Sequence, residues 1–399
     1  MAKRTIVALP GDGIGDIVLK QSLRVLDAAG FDADYIYGDI GWEFWCKEGT
    51  PLPQRTLDLI KKHKIALFGA ITSKPNDEAK AELDVSLQGK GFVYSSPIVG
   101  LRQKFNLDIC VRPCKSYEGN PLNFIRRGKG NTIEEPYIDV VIFRQNTECL
   151  YAGVEWTNPP ENVYKALKSH PKFDENFGNV PPEELSVSTR IFTRKATERI
   201  LTAAFEYAKG NGYSSVTVCE KPNVIRETSG LMWKLAKDIQ KNFYPGIKLL
   251  NTNIDAQMMW LTKNPEDYGV IVAGNMFGDI ASDAFAGLIG GLGFACSAQF
   301  SSDGIAVFEP THGSAPKYAG YEIPIVNPIA MIESACMMLD YLEEKNIAQK
   351  IRKAVAEIIL EGTVRTYDMM KMSGSPDVIK NGAASTIEMT DAIISRIVN

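Results

Sequence analysis

At 399 residues, with 45% hydrophobic and 23% charged side chains, the chain has the make-up of an ordinary globular protein with room for two domains. A net charge of -4 argues against nucleic acid as the main partner, and only three histidines (His63, His170, His312) argue against a His-rich zinc site. Seven cysteines without a CxxC pair point to reduced thiols and a cytoplasmic compartment, and the apolar stretch in MAKRTIVALP is too short for a signal peptide or membrane span.

The first strand is predicted over residues 4–9 and ends in PGDGIGD. Its glycines fall at 11, 13 and 15, making GxGxG and not GxGxxG, so the segment reads as a tight strand-to-helix turn without a Rossmann site. A helix over about 17–29, a strand over 33–37, a helix near 53–62 and a strand over 65–68 follow. This βα alternation predicts a mostly parallel sheet covered on both faces. The charged stretch 75–90 suits an exposed loop or short helix. Beyond it, Arg112 closes LDICVRP and Arg144 closes YIDVVIFR, which places both at strand ends, where open α/β sheets bind ligands. With Arg102 they form a cationic set suited to bidentate carboxylate binding.

Residues 158–184, rich in Pro, Asn, Lys and Glu with weak periodicity, read as an insertion or arm. Helical pattern resumes over 193–210, and the strand SSVTVCE delivers Lys221, which fits a catalytic lysine or a solvated strand end. Asp255 lies on a helix with an apolar opposite face. In YGVIVAGNMFGDIASD a buried strand over 268–273 stops at Gly274, and a helix from Gly278 sets Asp279 and Asp283 one turn apart on one face. That pair suits a divalent ion bound through oxygen; an acidic first turn favoured by the helix dipole has the same spacing. The uncharged run 284–302, broken by glycines, reads as a buried crossover. In FEPTHGSAPKYAG, Glu309, His312, Gly313, Ser314, Lys317 and Tyr318 share one loop, where the amides of Gly313 to Ala315 suit an anion cradle or a surface turn. Helices over 327–340, 347–361 and 385–398 complete the chain.

Taken together, LPGDGIG, LRQ, VRP, IFRQNTECLYAGVEW, NMFGDIASD and THGSAPKYAG resemble the metal-dependent β-decarboxylating dehydrogenases of 2-hydroxy acids over nearly the whole chain. Within that family the chain is most similar to homodimeric NADP-dependent isocitrate dehydrogenases. The resemblance implies an α/β isocitrate/isopropylmalate dehydrogenase-like fold, not Rossmann. A large cofactor-binding domain (1–107 and 290–399) and a small substrate, metal and dimer domain (108–148 and 194–289) would share a mixed sheet, with a clasp arm over 149–193.

It also implies roles. Arg102, Arg112 and Arg144 would clamp a 2-hydroxy tricarboxylate, with Ser96 reaching it too. Asp279 and Asp283 would hold Mg²⁺ or Mn²⁺ with Asp255 of the partner subunit. Tyr151 and the partner's Lys221 would move protons, the site's cations bringing both nearer to neutrality. An NADP 2′-phosphate needs cations and hydroxyls, and NADP-using members resemble this chain at Lys317, Tyr318, Val326, Tyr367 and Lys371. Thr72, Glu309, His312, Gly313, Ser314, Ala315 and Asn327 complete the implied cofactor set. The implied partners are the small substrate and a second copy, with neither nucleic acid nor membrane.

Two departures stand out. Ile98 replaces the Asn with which isocitrate enzymes reach the γ-carboxylate, and apolar residues there resemble homoisocitrate or 3-isopropylmalate enzymes, so the same chemistry on those acids is the alternative. The segment 74–94 is longer than the family loop. A non-catalytic regulatory subunit would typically lack metal or proton-transfer residues, all of which this chain carries.

Overall fold

Strands occur where apolar and β-branched residues run together. The computed structural model, which describes residues 3–399, places them at β1 (Arg4–Gly11), β2 (Ala33–Tyr37), β3 (Ile65–Ala70), β4 (Ile109–Lys115), β5 (Arg126–Arg127), β6 (Ile133–Glu134) and β7 (Asp139–Gln145). They continue with β8 (Glu155–Thr157), β9 (Ser186–Ser188), β10 (Ser215–Glu220), β11 (Lys248–Asn253), β12 (Val270–Ala273), β13 (Cys296–Phe300) and β14 (Ala306–Pro310). Ten of them form one sheet in the order β11-β10-β12-β7-β4-β13-β14-β3-β1-β2. The pairings at both ends are parallel, while β7–β4, β4–β13 and β13–β14 in the middle are antiparallel. The mixed sheet therefore consists of two parallel βα halves joined through an antiparallel centre.

Alternation along the strands divides the core. Ile6 and Ala8 of β1 face a cluster under helices Gly15–Ala29, Ile329–Tyr341, Lys345–Glu361 and Thr386–Val398. Val7 and Leu9 face the opposite layer, with Phe68, Leu101 and Val307. On the other half, helices Arg194–Gly210 and Thr228–Phe243 bury Phe205 and Leu235 against Val141, Val218 and Val272.

The glycines of the first turn serve close packing. Gly11 has φ +68°, and a Cβ there would stand 1.8 Å from the Ala70 carbonyl oxygen. Gly13, at φ +56°, has the Ser314 carbonyl 2.2 Å from the place of a Cβ, and the next amide, Ile14, donates to that carbonyl at 2.9 Å. Between them the buried side of Asp12 accepts the N–H groups of Trp42 (2.6 Å) and Thr72 (2.8 Å).

Several expectations are corrected. Arg112 lies at the centre of β4 and not at a strand end, because β4 continues to Lys115 against the antiparallel β7. Glu309 belongs to β14, and Lys317 and Tyr318 to the short helix Pro316–Ala319 opened by proline, so they do not share one loop. The helix carrying the aspartates starts at Asn275, three residues early, and the N–H of its N-cap residue Gly274 is held by Glu220 Oε1 at 2.8 Å. The arm holds two helices, Glu161–Lys168 and Pro171–Phe177, and a β8–β9 ribbon. The long segment 74–94 folds its short helix Asn76–Ala81 over Trp45, with Leu83 and Tyr94 completing a small cluster. Among the described residues, no helix is long and apolar enough to cross a membrane.

Gly11→Ala is expected to lower the unfolding free energy by more than about 2 kcal/mol, because its backbone conformation and the Ala70 carbonyl both exclude a side chain. Urea denaturation with an unchanged slope and a lower midpoint is the check; an unchanged midpoint would refute it.

Candidate active site

Strand β12 ends at Gly274, and helix Asn275–Leu288 leaves from there across the sheet centre. It lies close: a Cβ on Gly278 would stand 2.8 Å from the Arg144 side chain. The antiparallel register sets Cys110 opposite Arg144, so Arg112, two residues beyond Cys110, projects on the same face. Both arginines therefore meet the helix. Arg112 Nη1 reaches Asp279 Oδ1 (3.1 Å), Ser282 Oγ (2.7 Å) and Asp283 Oδ1 (3.2 Å). Arg144 donates through Nη1 to Asp279 and through Nε to Asn275 Oδ1 at 2.9 Å. Tyr151, from the base of the arm, donates to the other oxygen of Asp279 at 2.8 Å, and its ring centre lies 5.4 Å from the Arg144 guanidinium carbon.

Arg102 arrives from helix Pro97–Lys104. Its Nε donates to Gln299 Oε1 (2.8 Å), which also accepts from Asn146 (2.7 Å), and its Nη2 lies 3.4 Å from Glu309 Oε1. Ser96 is the N-cap of that helix, but its side chain makes no capping bond. Ile98 stands one turn before Arg102, on the same helical face, and packs against the apolar cluster of β1 and β3.

The electrostatics follow from burial and crowding. Burial and the neighbouring Arg112 and Arg102 cations push Arg144 down to about 10. Burial alone would raise Asp279, but Arg144 and Arg112 outweigh it and hold the carboxyl below its ordinary value. Asp283 goes the other way: although much of the side chain is exposed, desolvation of its inner part, with Asp279 adding to it, prevails over Arg112 and raises the carboxyl. Tyr151 is raised by burial and by Asp279, contrary to the expected move toward neutrality, because its hydrogen-bond partner is an anion.

Lys221 and Asp255 lie apart from this cluster. They follow the adjacent parallel strands β10 and β11, whose register pairs Glu220 with Asn253, and they form an ion pair. Neither has a hydrogen bond to Tyr151, Asp279 or Asp283, and among the described residues no three metal-ligating side chains gather in one place. One chain thus holds two carboxylates of the expected three at one point.

After β14, the loop reaches back to the first turn. Thr72 Oγ1 and Ser314 Oγ are 2.6 Å apart. The Ser314 amide donates to the Ile71 carbonyl at 3.3 Å, so within the expected anion cradle it is already engaged. Gly313 is exposed, while Thr311 Oγ1 and His312 Nε2 are buried without partners. Lys317 Nζ lies 4.5 Å over the Tyr318 ring, and Tyr318 and Tyr367 ring centres are 5.6 Å apart. Val326 is buried in the core, and Asn327 donates to Asp368 at 3.1 Å. Ala315 and Lys371 both adopt positive φ. Lys371 is exposed and lines a cleft with Arg365, Thr363 and Gly382.

Sequence reasoning missed Asn275, Ser282, Asn146 and Gln299. The first two carried a signal, standing four before and three after Asp279 in NMFGDIASD, on its helical face. Asn146 and Gln299 carried none, because their meeting depends on strand register.

Residues 5–393 match the family model described as isocitrate/isopropylmalate dehydrogenase. Protein DlpA of Legionella pneumophila is 38% identical over 391 residues, which are 98% of this chain but 58% of that protein, so the chain spans little more than half its length. A 3-isopropylmalate dehydrogenase of Methanothermobacter thermautotrophicus is 35% identical over 397 residues, 98% of each chain. The crystal structure of isocitrate dehydrogenase from Methylococcus capsulatus has a TM-score of 0.81 at 33% identity, covering 99% of this chain and 100% of that one.

Without added metal, Asp279→Asn is expected to cost about 3 kcal/mol of unfolding free energy, since it leaves two buried arginines without their shared carboxylate. Asp283→Asn is expected to cost under about 1 kcal/mol, because that side chain is 58% exposed and meets a single guanidinium nitrogen. Thermal unfolding of both variants in chelator is the check, and equal losses would refute the assignment of Asp279 as the shared anchor.

Proposed function

The chain belongs to the isocitrate/isopropylmalate dehydrogenase family, whose members are β-decarboxylating dehydrogenases, and on that premise we propose that it converts isocitrate to 2-oxoglutarate and CO₂ with NADP and Mg²⁺ or Mn²⁺. One observation carries the reading: Arg102, Arg112 and Arg144 converge on one partly buried space around Asp279 and Glu309, where burial first and the neighbouring cations second push Arg144 down to about 10. A substrate with several carboxylates relieves that crowding through the arginine forks.

The acidic pair fits an oxygen-bound divalent ion. Asp279 and Asp283 stand one turn apart and both reach the same Arg112 nitrogen, so they aim at one point. Asp255 of the partner subunit would complete the set. When bound, the metal would supply Lewis-acid stabilisation of charge on the substrate oxygen, and NADP⁺ would supply the hydride acceptor.

The chain's own residues do the rest. The three arginines bind and orient the carboxylates, with Ser96 beside Arg102's helix start. Lys221 of the partner subunit, which gives up its ion-pair proton to solvent as Asp255 turns to the other two carboxylates, would take the hydroxyl proton. Tyr151 returns a proton to the carbon that loses CO₂, and its raised phenol keeps that proton available. Sharing between two copies is supported by surfaces one chain leaves exposed. Met259, Trp260 and Ile280 are 45%, 41% and 46% exposed on the helices bearing Asp255 and Asp279, and neither arm helix buries a residue.

For the cofactor, the proposed binding part (1–107 and 290–399) offers a cation stacked on Tyr318 beside Tyr367, and unpartnered polar atoms at Thr311 and His312. These fit a phosphorylated nucleotide. All seven cysteines are free thiols, which supports the cytoplasmic reading. A second reading of the substrate rests on Ile98: its apolar side chain, one turn from Arg102, suits 3-isopropylmalate or homoisocitrate.

The test is initial-rate reduction of NADP⁺ and NAD⁺ with Mg²⁺ or Mn²⁺, offering isocitrate, 3-isopropylmalate and homoisocitrate in parallel. Isocitrate with NADP⁺ is expected to be fastest, and Lys221→Met to abolish turnover; a faster rate with either other acid selects the second reading. Lys317→Asp combined with Tyr318→Ile is expected to raise the KM for NADP⁺ by about tenfold or more, through lost charge-assisted contacts. Retained NADP⁺ preference in that double variant would refute the cofactor assignment.

A further inference from the structure

The arm returns to the body of the protein at Arg190, and the carboxylate that receives it, Glu220, immediately precedes Lys221. Glu220 is fully buried, and its two oxygens serve different elements. Oε1 accepts the Gly274 N–H at 2.8 Å, at the start of the helix bearing Asp279 and Asp283. Oε2 accepts from Arg190 Nη2 at 2.8 Å and from Ser229 Oγ at 2.6 Å. Ser229 Oγ in turn receives the Lys221 backbone N–H at 3.4 Å.

Arg190 completes the joint. Its Nη1 donates to Thr228 Oγ1 and Ser229 Oγ, each at 2.9 Å, and its Nε to Cys149 Sγ at 3.2 Å. The guanidinium carbon lies 4.6 Å from the Phe192 ring centre and 4.9 Å from that of Phe277. There is no slack around it: a Cβ on Gly274 would meet Phe192 at 2.6 Å and Glu220 Oε1 at 2.7 Å.

Desolvation offsets most of the attraction in a buried ion pair, so such a pair adds little stability over an apolar one of the same shape. Its effect here is geometric. Both ends of the arm, the end of β10, the start of helix Thr228–Phe243 and the start of helix Asn275–Leu288 are fixed to one point. Building on the reading of Lys221 as proton acceptor, we propose that Arg190 and Glu220 are positioning residues that set the Lys221 backbone relative to the helix of Asp279 and Asp283. Neither touches substrate. In a shared-site dimer, the lysine a chain lends to its partner and the carboxylates it keeps are then placed by the same carboxylate.

Glu220→Gln is expected to lower kcat at least about tenfold with substrate KM changed less than about threefold, the signature of lost positioning in the transition state. Arg190→Lys is expected to retain more turnover than Arg190→Met. A folded Glu220→Gln protein with kcat within about twofold of the parent overturns the proposal. If that variant does not fold, Ser229→Ala removes one link and leaves the ion pair; a kcat about threefold lower at constant KM supports the joint, and a parental kcat overturns it. Amide hydrogen exchange at Lys221 and Gly274 reads the joint without turnover. Faster exchange at both in Ser229→Ala supports it, and unchanged exchange overturns it, even if the parent proves inactive with every acid and the proposed reaction itself fails.

Discussion

Asp279 satisfies three groups at once: Arg112, Arg144 and the Tyr151 hydroxyl. Two guanidiniums side by side in a mostly buried space repel each other, and this carboxylate lets them stay there. The requirement reaches outward. Gly278 must lack a side chain for the helix to come near Arg144, and β4 and β7 must run antiparallel for both arginines to face it. The antiparallel β4–β7 pairing at the sheet centre thus has a chemical consequence, because it delivers two cations from neighbouring strands to one face. The outer, parallel halves supply the layers that hold this centre in place.

The same arrangement keeps the proposed metal and proton-transfer residues in two separate groups. Tyr151, Asp279 and Asp283 gather over the sheet centre, whereas Lys221 and Asp255 pair with each other beyond β10 and β11. The separation is topological: two strands end side by side, and the residues that follow them have no nearer partners. On the proposed reading, a lysine and an aspartate that neutralise each other in one chain are put to use where another carboxylate pair is presented to them. In the proposed dimer, the exposed apolar side chains on the two helices concerned, and an arm with no buried helical residue, are surfaces available to a second copy.

Much of the fold was legible because periodicity reports burial directly. The segments around β1, β2, β3, β10 and β12 alternate or run apolar, and the turn glycines separate them. The candidate site was legible where chemistry is local: Asp279 and Asp283 share a helical face by spacing alone. Elsewhere the information is non-local. Arg112 was expected at a strand end because it closes the apolar segment LDICVRP, but strand length is set by pairing with β7. Glu309 looked like a loop residue until β13 gave its strand an antiparallel partner. Glu220 and Arg190 carried no local signal at all, since their meaning arises from four segments brought together in space.

The contact between the first turn and the loop after β14 also bears on how the chain reaches this state. The Ile14 amide bonds to the Ser314 carbonyl, about 300 residues away, and β3 pairs with β14 on the side not taken by β1. During synthesis, β1, β2 and β3 emerge first, yet the inner edge of their sheet stays open until residues beyond 306 have followed. Such an apolar strand edge is a template for wrong pairing. The β1–β3 segment is therefore completed only late despite being made first, and β4, which meets β7 within the next stretch of chain, likewise keeps one edge open until β13 follows.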